Sequence, residues 1–326
     1  MRFAVQALSV FFFIFSQAKL FCQSTPIYSH YMMDGFTVNS AMAGYEGLTV
    51  FNLITRQQWL GIENAPRTFS FSFQTRLLQR SYKIVTRPHR KNKFIPARKG
   101  RVGLGGYLYS DRNGYFMNSG AAFSYAYHIP LHNSQLSFGL LASVAQHKID
   151  KSGIGFRNAE PLMDLVGNPL YIPDVSIGCF YYKFYAYYIG ISATELLQSK
   201  IKFGSSVMRQ YKTERQYYLI GAYRFQQDKD LQIEPSFLFK TTEGLIMQGE
   251  LSCKIYYQNK YWGGISYRTA QTFIALMGVR WKNLYIGYAF DYDFNAFQRF
   301  TFGSHELFLS MKFGETARRY LWQKRF

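Results

Sequence analysis

Two alternations run in succession between residues 231 and 255. Leu231, Ile233, Phe237 and Phe239 interleave with Gln232, Glu234, Ser236 and Lys240, and after a break at 241–244 Met247, Leu251, Cys253 and Ile255 interleave with Gln248, Glu250, Ser252 and Lys254. A period of two places each set on its own face of a β-strand. The charged residues sit inside the strands, so one face meets water or a polar interior while the other meets something apolar. Such a pattern belongs to a membrane barrel wall or to a large soluble sheet.

The same periodicity predicts strands over 48–58, 67–78, 101–110, 116–128, 135–147, 174–183, 184–192, 215–226, 231–241, 245–257, 261–268, 271–281, 284–292 and 305–313. The expected fold is all-β: an antiparallel transmembrane β-barrel of about 14 strands, within a range of about 12 to 16. An even count returns both termini to one side, the periplasm in bacterial outer-membrane barrels. Parity sorts most connections accordingly. The turns 129–134, 227–230, 258–260 and 282–283 are short and fall on the periplasmic side, whereas 148–173, 193–214 and 293–304 are longer and face outward. The connection 79–100 breaks the rule, being long on the side where turns should be short.

Met1 and Arg2 precede an apolar run that ends at the polar Gln23, Ser24 and Thr25, the layout of a secretory signal peptide. The expected division is a signal peptide at 1–23, an N-terminal periplasmic segment at 24–46, the barrel at 47–313 and a basic C-terminal tail at 314–326. Lipidation at Cys22 is the rival reading, but Lys19 and Phe21 suit it poorly. Beyond residue 23 no apolar run is long enough for a transmembrane helix. Aromatic residues make up 19% of the chain, with 27 Tyr and 31 Phe, and membrane barrels use such residues in girdles at both interfaces. Cys179 and Cys253 both fall on the apolar phase; two small lipid-facing residues is favoured over a disulfide.

A formal net charge of +19 points to anionic partners: lipid headgroups or acidic proteins, with nucleic acid set aside for an exported barrel. The connection 79–100 concentrates it. Arg87, Arg90, Lys91, Lys93, Arg98 and Lys99 lie there without an acidic residue, and Arg318 and Arg319 in the tail fall on the same side. These eight are the candidate partner-docking residues. The other reading is a solvated loop and tail touching lipid headgroups.

Catalysis finds no plausible site, so no enzyme and no cofactor is expected. His128 and His132 straddle Pro130, which forbids a helix presenting both to a metal. Ser304, His305 and Glu306 are consecutive and point to alternate faces of a strand. Asp291 and Asp293 share a face but fall short of a calcium site's six to eight oxygens. The glycines at 103, 105, 106, 263 and 264 read as barrel bends rather than phosphate cradles, since no helix follows.

One block carries more. Tyr31 and Met32, then Asn39, Ser40, Ala41, Met42, Ala43 and Gly44, then Arg56 to Gly61 (RQQWLG), then Ala65 to Thr68 (APRT) follow in order, and later stretches such as YWGGISYR at 261–268 and GSHEL at 303–307 continue the match. In this order they resemble the PorP/SprF family of type IX secretion system membrane proteins over nearly all of the chain past residue 23. The family's Asn-Pro-Ala-Tyr-Ala-Gly segment is changed here at Ser40 and Met42, and the basic connection and tail look like additions. The resemblance implies a non-enzymatic component of the cell outer membrane that supports secretion or surface display of adhesin-like cargo, and gliding motility, by binding cargo and periplasmic secretion components. A porin or hydrophobic-solute channel is the alternative, since a barrel of this size can enclose a lumen.

Overall fold

In the computed structural model the described residues are 28–77, 101–150, 169–184, 186–201, 211–228, 230–269, 271–294 and 296–313. Fourteen long strands dominate them. They are β1 (Thr49–Gln57), β2 (Arg67–Leu77), β3 (Val102–Asn113), β4 (Phe116–Pro130), β5 (Ser134–Ile149), β6 (Leu170–Lys183) and β7 (Tyr187–Thr194). The second half holds β8 (Gln216–Tyr223), β9 (Leu231–Thr242), β10 (Met247–Tyr257), β11 (Tyr261–Arg268), β12 (Thr272–Trp281), β13 (Leu284–Asp293) and β14 (Ser304–Phe313). Each pairs antiparallel with its sequence neighbours, and β1 pairs with β14 from Thr49 opposite Phe313 to Gln57 opposite His305. The sheet therefore closes on itself and leaves no free edge.

The first strand starts and the last strand ends at the same end of the barrel, which we call the terminal end. Side-chain alternation sets inside from outside. On β2, Thr68, Ser70, Ser72 and Gln74 are buried within the barrel while Phe69 and Phe71 are exposed on its outer wall. Phe69 is 49% exposed and its neighbour Ser70 1%, which only a polar interior with an apolar exterior explains. Exposed aromatic residues gather at both rims, among them Tyr187, Tyr223 and Trp281 at the terminal end and Phe116, Tyr171 and Tyr292 at the other. Cys179 and Cys253 are free, on β6 and β10, which do not pair.

Some strands differ from the sequence-based bounds. β6 begins at Leu170 rather than 174, because Leu170 to Pro173 continue the ladder opposite His147 to Val144 despite the proline. β7 begins at Tyr187 rather than 184, after a tight turn whose Ala186 N–H donates to the Lys183 carbonyl. The glycines of β3 also have another role: Gly103 and Gly105 face inward against side chains and backbone of the N-terminal segment. Space, not bending, is what they supply.

Candidate functional site

The described part of the segment before β1, residues 28–48, runs inside the barrel. From Tyr28 it starts in the half of the lumen away from the terminal end, beside residues of β13 and β14, and descends to Leu48 at the terminal rim. Two short 3-10 turns, Gly35–Thr37 and Ser40–Met42, let it fold without strand partners. Tyr31, Phe36, Ala41, Met42 and Ala43 form its buried core with Ala126, Leu141, Phe180, Ile220 and Leu238 of the wall.

The wall is built to receive it. Gly103, Ala126, Gly139, Gly178 and Ser192 lie directly opposite one another on β3 to β7, a row of small residues across five strands. A Cβ at Gly139 would stand 2.2 Å from the Ala41 nitrogen, and one at Gly178 2.1 Å from Asn39 Oδ1. Asn39 fixes the seat: its Nδ2 donates to the carbonyls of Cys179 and Ile191, and its Oδ1 accepts the Ala41 N–H. Ser192 Oγ donates to the Val38 carbonyl and Ser124 Oγ to that of Ser40. Gly44 leaves the seat with φ +67°, its backbone against Thr75. Within the Asn39 to Gly44 motif, Asn39 to Ala43 thus lie on the small-residue row, and Gly44 turns the chain off it.

The upper end of the segment is held by charge. Glu306 accepts the backbone N–H groups of Ser29 and His30, at 2.9 and 2.8 Å, and meets His30 Nδ1 at 2.6 Å. The His30 ring stacks on Phe308 and stands edge-on to Trp262. Arg56 donates to Asp291, which also accepts from Ser29 Oγ, while Arg268 pairs with Glu250. Charge-assisted bonds of this kind are among the stronger ones, and they need every member, since a buried charge that loses its partner is costly. Lower down, Ser72 Oγ donates to Asp34 and Lys312 Nζ to Glu46.

Beneath the segment, at the terminal end, lies a cavity of about 520 Å³ roofed by Met32 and Met33. Tyr45, Tyr182, Tyr188, Tyr256 and Tyr285 line it with Arg224, Arg280, Lys312, Glu46 and Glu234, and it reaches the rim at Gln258 and Asn259. The two ends differ in charge. Assigning the described ionisable residues by the half of their strand or the connection they occupy, nine Lys and Arg face four Asp and Glu at the terminal end, and ten face eleven at the other. Asp34, midway, belongs to neither.

The residues expected to dock partners, Arg87, Arg90, Lys91, Lys93, Arg98, Lys99, Arg318 and Arg319, lie outside the described residues. The connection between β2 and β3 that carries six of them leaves and rejoins the barrel at the cationic end. Ser304, His305 and Glu306 do not converge: Ser304 Oγ accepts the Trp59 N–H and Glu306 grips the N-terminal segment, while His305 turns to the Tyr288 hydroxyl. Asp291 and Asp293 share a face, but Asp293 is taken by Trp59 Nε1 and Thr272 Oγ1. Sequence reasoning missed the lumenal segment and, with it, the roles of Glu306, Arg56 and Asn39.

No relative among curated proteins matches the chain. Among solved structures it is similar to the outer membrane protein Omp33 of Acinetobacter baumannii, at 8% identity with a TM-score of 0.44 over 82% of this chain and 98% of that one. It is also similar to the toluene transporter TbuX of Ralstonia pickettii, at 12% identity with a TM-score of 0.49 over 88% and 93%. The sequence model of one family, described as type IX secretion system membrane protein PorP/SprF, matches residues 20–311. The chain therefore belongs to the PorP/SprF family and is an outer-membrane β-barrel component of the type IX secretion system.

Proposed function

We propose that the protein works by binding at its two ends rather than by conducting through its bore. The observation that carries this reading is the N-terminal segment seated in the lumen by Asn39, Glu306 and the small-residue row. A barrel filled by its own chain has its rims left to act with. In this reading the terminal end faces the periplasm and attaches to secretion components through its cationic rim, reinforced by the connection 79–100 and the tail. The opposite rim, rich in both signs of charge, holds adhesin-like cargo for secretion or surface display, and gliding motility follows where that cargo is a motility adhesin. Anionic outer-membrane lipid is the second partner of the basic residues. The porin or solute-channel reading needs an open bore, and the seated segment weighs against it.

The test is an Arg90→Glu, Lys91→Glu, Lys93→Glu variant, purified from native outer membrane and analysed by mass spectrometry. Secretion components are expected to drop out at least severalfold while the barrel itself is recovered in full. Unchanged co-purification overturns the attachment.

A further inference from the structure

The cavity under the N-terminal segment has an unusual electrostatic build. Tyr256 is flanked by two cations, Arg224 and Lys254, each 5.4 Å from its ring centre. Tyr285 is flanked by two more, Arg280 at 5.1 Å and Lys312 at 5.2 Å. The carboxylates lining the cavity are Glu234, which bridges Arg224 and Lys254, and Glu46, which holds Lys312. Three cations, Arg224, Arg280 and Lys312, thus line the recess with two acids, and Lys254 stands buried behind Tyr256. Positive charge in excess in a concave recess favours an anion, and the cations are already held in place by the rings they stack on.

The rest of the lining says what kind of anion. Tyrosines supply wide apolar faces with a hydroxyl at the tip, the surface that recognises polypeptide at small entropic cost. The volume falls in the range that takes a few side chains. Met32 and Met33 line its lumenal side, and the exposed Gln258 and Asn259 border it at the terminal rim, the side from which a partner reaches it.

We propose that this vestibule receives an acidic, aromatic-bearing peptide segment of a protein that docks on the terminal end. The segment's carboxylates meet the Arg280 and Lys312 side of the recess and its apolar side chains lie on the tyrosines. This rests on the reading above that a partner attaches at that end, and it names the contact that the partner makes inside the barrel mouth.

Full-length protein in detergent is titrated by fluorescence anisotropy with labelled (Glu-Phe)3, (Gln-Phe)3 and (Lys-Phe)3 peptides. The acidic peptide is expected to bind at least tenfold more tightly than the other two. An Arg280→Gln, Lys312→Gln variant is expected to raise its Kd about tenfold, and the Arg90→Glu, Lys91→Glu, Lys93→Glu variant to change it less than twofold. Equal binding of all three peptides, or a vestibule variant that binds as the wild type does, overturns the inference. Loss in the triple variant alone also overturns it, yet leaves attachment at the terminal end standing. Should the double variant fold poorly, a photo-crosslinking (Glu-Phe)3 probe on the wild-type protein decides: adducts within 256–259 or 280–285 support the site, and adducts confined to other stretches overturn it.

Discussion

At Gly139 one hydrogen atom separates a seated segment from an unseated one. A Cβ there would meet the Ala41 nitrogen at 2.2 Å and the Ser40 carbonyl carbon at 2.3 Å, both backbone atoms that cannot swing aside. Gly263 offers a control, since a Cβ at that position would find the Leu276 carbonyl oxygen at an ordinary 3.6 Å. Gly139→Ala is therefore expected to lift the 39–43 stretch and lower stability by about 1 to 3 kcal/mol, the usual cost of overpacking. Gly263→Ala is expected to stay within about 0.5 kcal/mol. Urea unfolding in detergent measures both, and equal midpoints for the two variants would remove the row's role. A second residue-scale effect lies in the connection after β7. Burial, and after it the neighbouring Asp174 carboxylate, push the Glu195 carboxyl up to about 7. A carboxyl raised in the folded state contributes its stability below its unfolded value and loses it as pH climbs toward 7. Glu195→Gln is thus expected to stabilise the protein at pH 8 by about 1 kcal/mol after solvent screening, and to change nothing at pH 4. Melting curves at the two pH values check the sign.

Among the elements, the strands were legible and the lumenal segment was not, for one physical reason. A strand with water or polar groups on one side and lipid on the other writes a period of two, as β9 does with Glu234, Ser236 and Lys240 inward and Phe237 and Phe239 outward. Much of 28–48 packs against the wall without a regular inside and outside, so His30, Asn39 and Ala41 are all buried and no period marks them. Its signal sat elsewhere, in inward-phase glycines on separate strands, and they form a row only once register is known. The resemblance to a family did pick out Asn39 to Gly44, Arg56 and Glu306 by their motifs, but not that the first is seated on the small-residue row or that the other two hold the segment's upper end. Because the segment shares no ladder with the wall, the barrel's hydrogen-bonded closure does not depend on it. Deleting residues 28–44 is expected to leave a folded barrel and to turn an electrically silent protein into one with discrete single-channel steps in planar bilayers. Conductance in the intact protein, or silence in the deletion variant, would count against the segment as the block.

Across the whole molecule, charge is sorted by end. The buried ion pairs of the lumen, Arg56 with Asp291 and Arg268 with Glu250, are nearly neutral in sum and lie where salt reaches them little. The excess sits at the terminal end, where Arg76, Arg101, Lys260 and Lys282 are spread around the rim, and where the connection 79–100 adds eight basic residues and no acidic one. Two classes of electrostatics with different exposure should part company as salt rises. From about 0.1 M to about 1 M the screening length falls from about 10 Å to about 3 Å, short enough to cancel a rim's long-range field but not a contact inside a protein. Partners held at the terminal end are therefore expected to wash off native complexes across that range, while the melting temperature of the barrel stays within a degree or two. If partners persist at high salt, attachment must rest on apolar burial instead of the cationic end. If the barrel melts earlier as salt rises, the lumenal ion pairs are less sheltered than their burial implies.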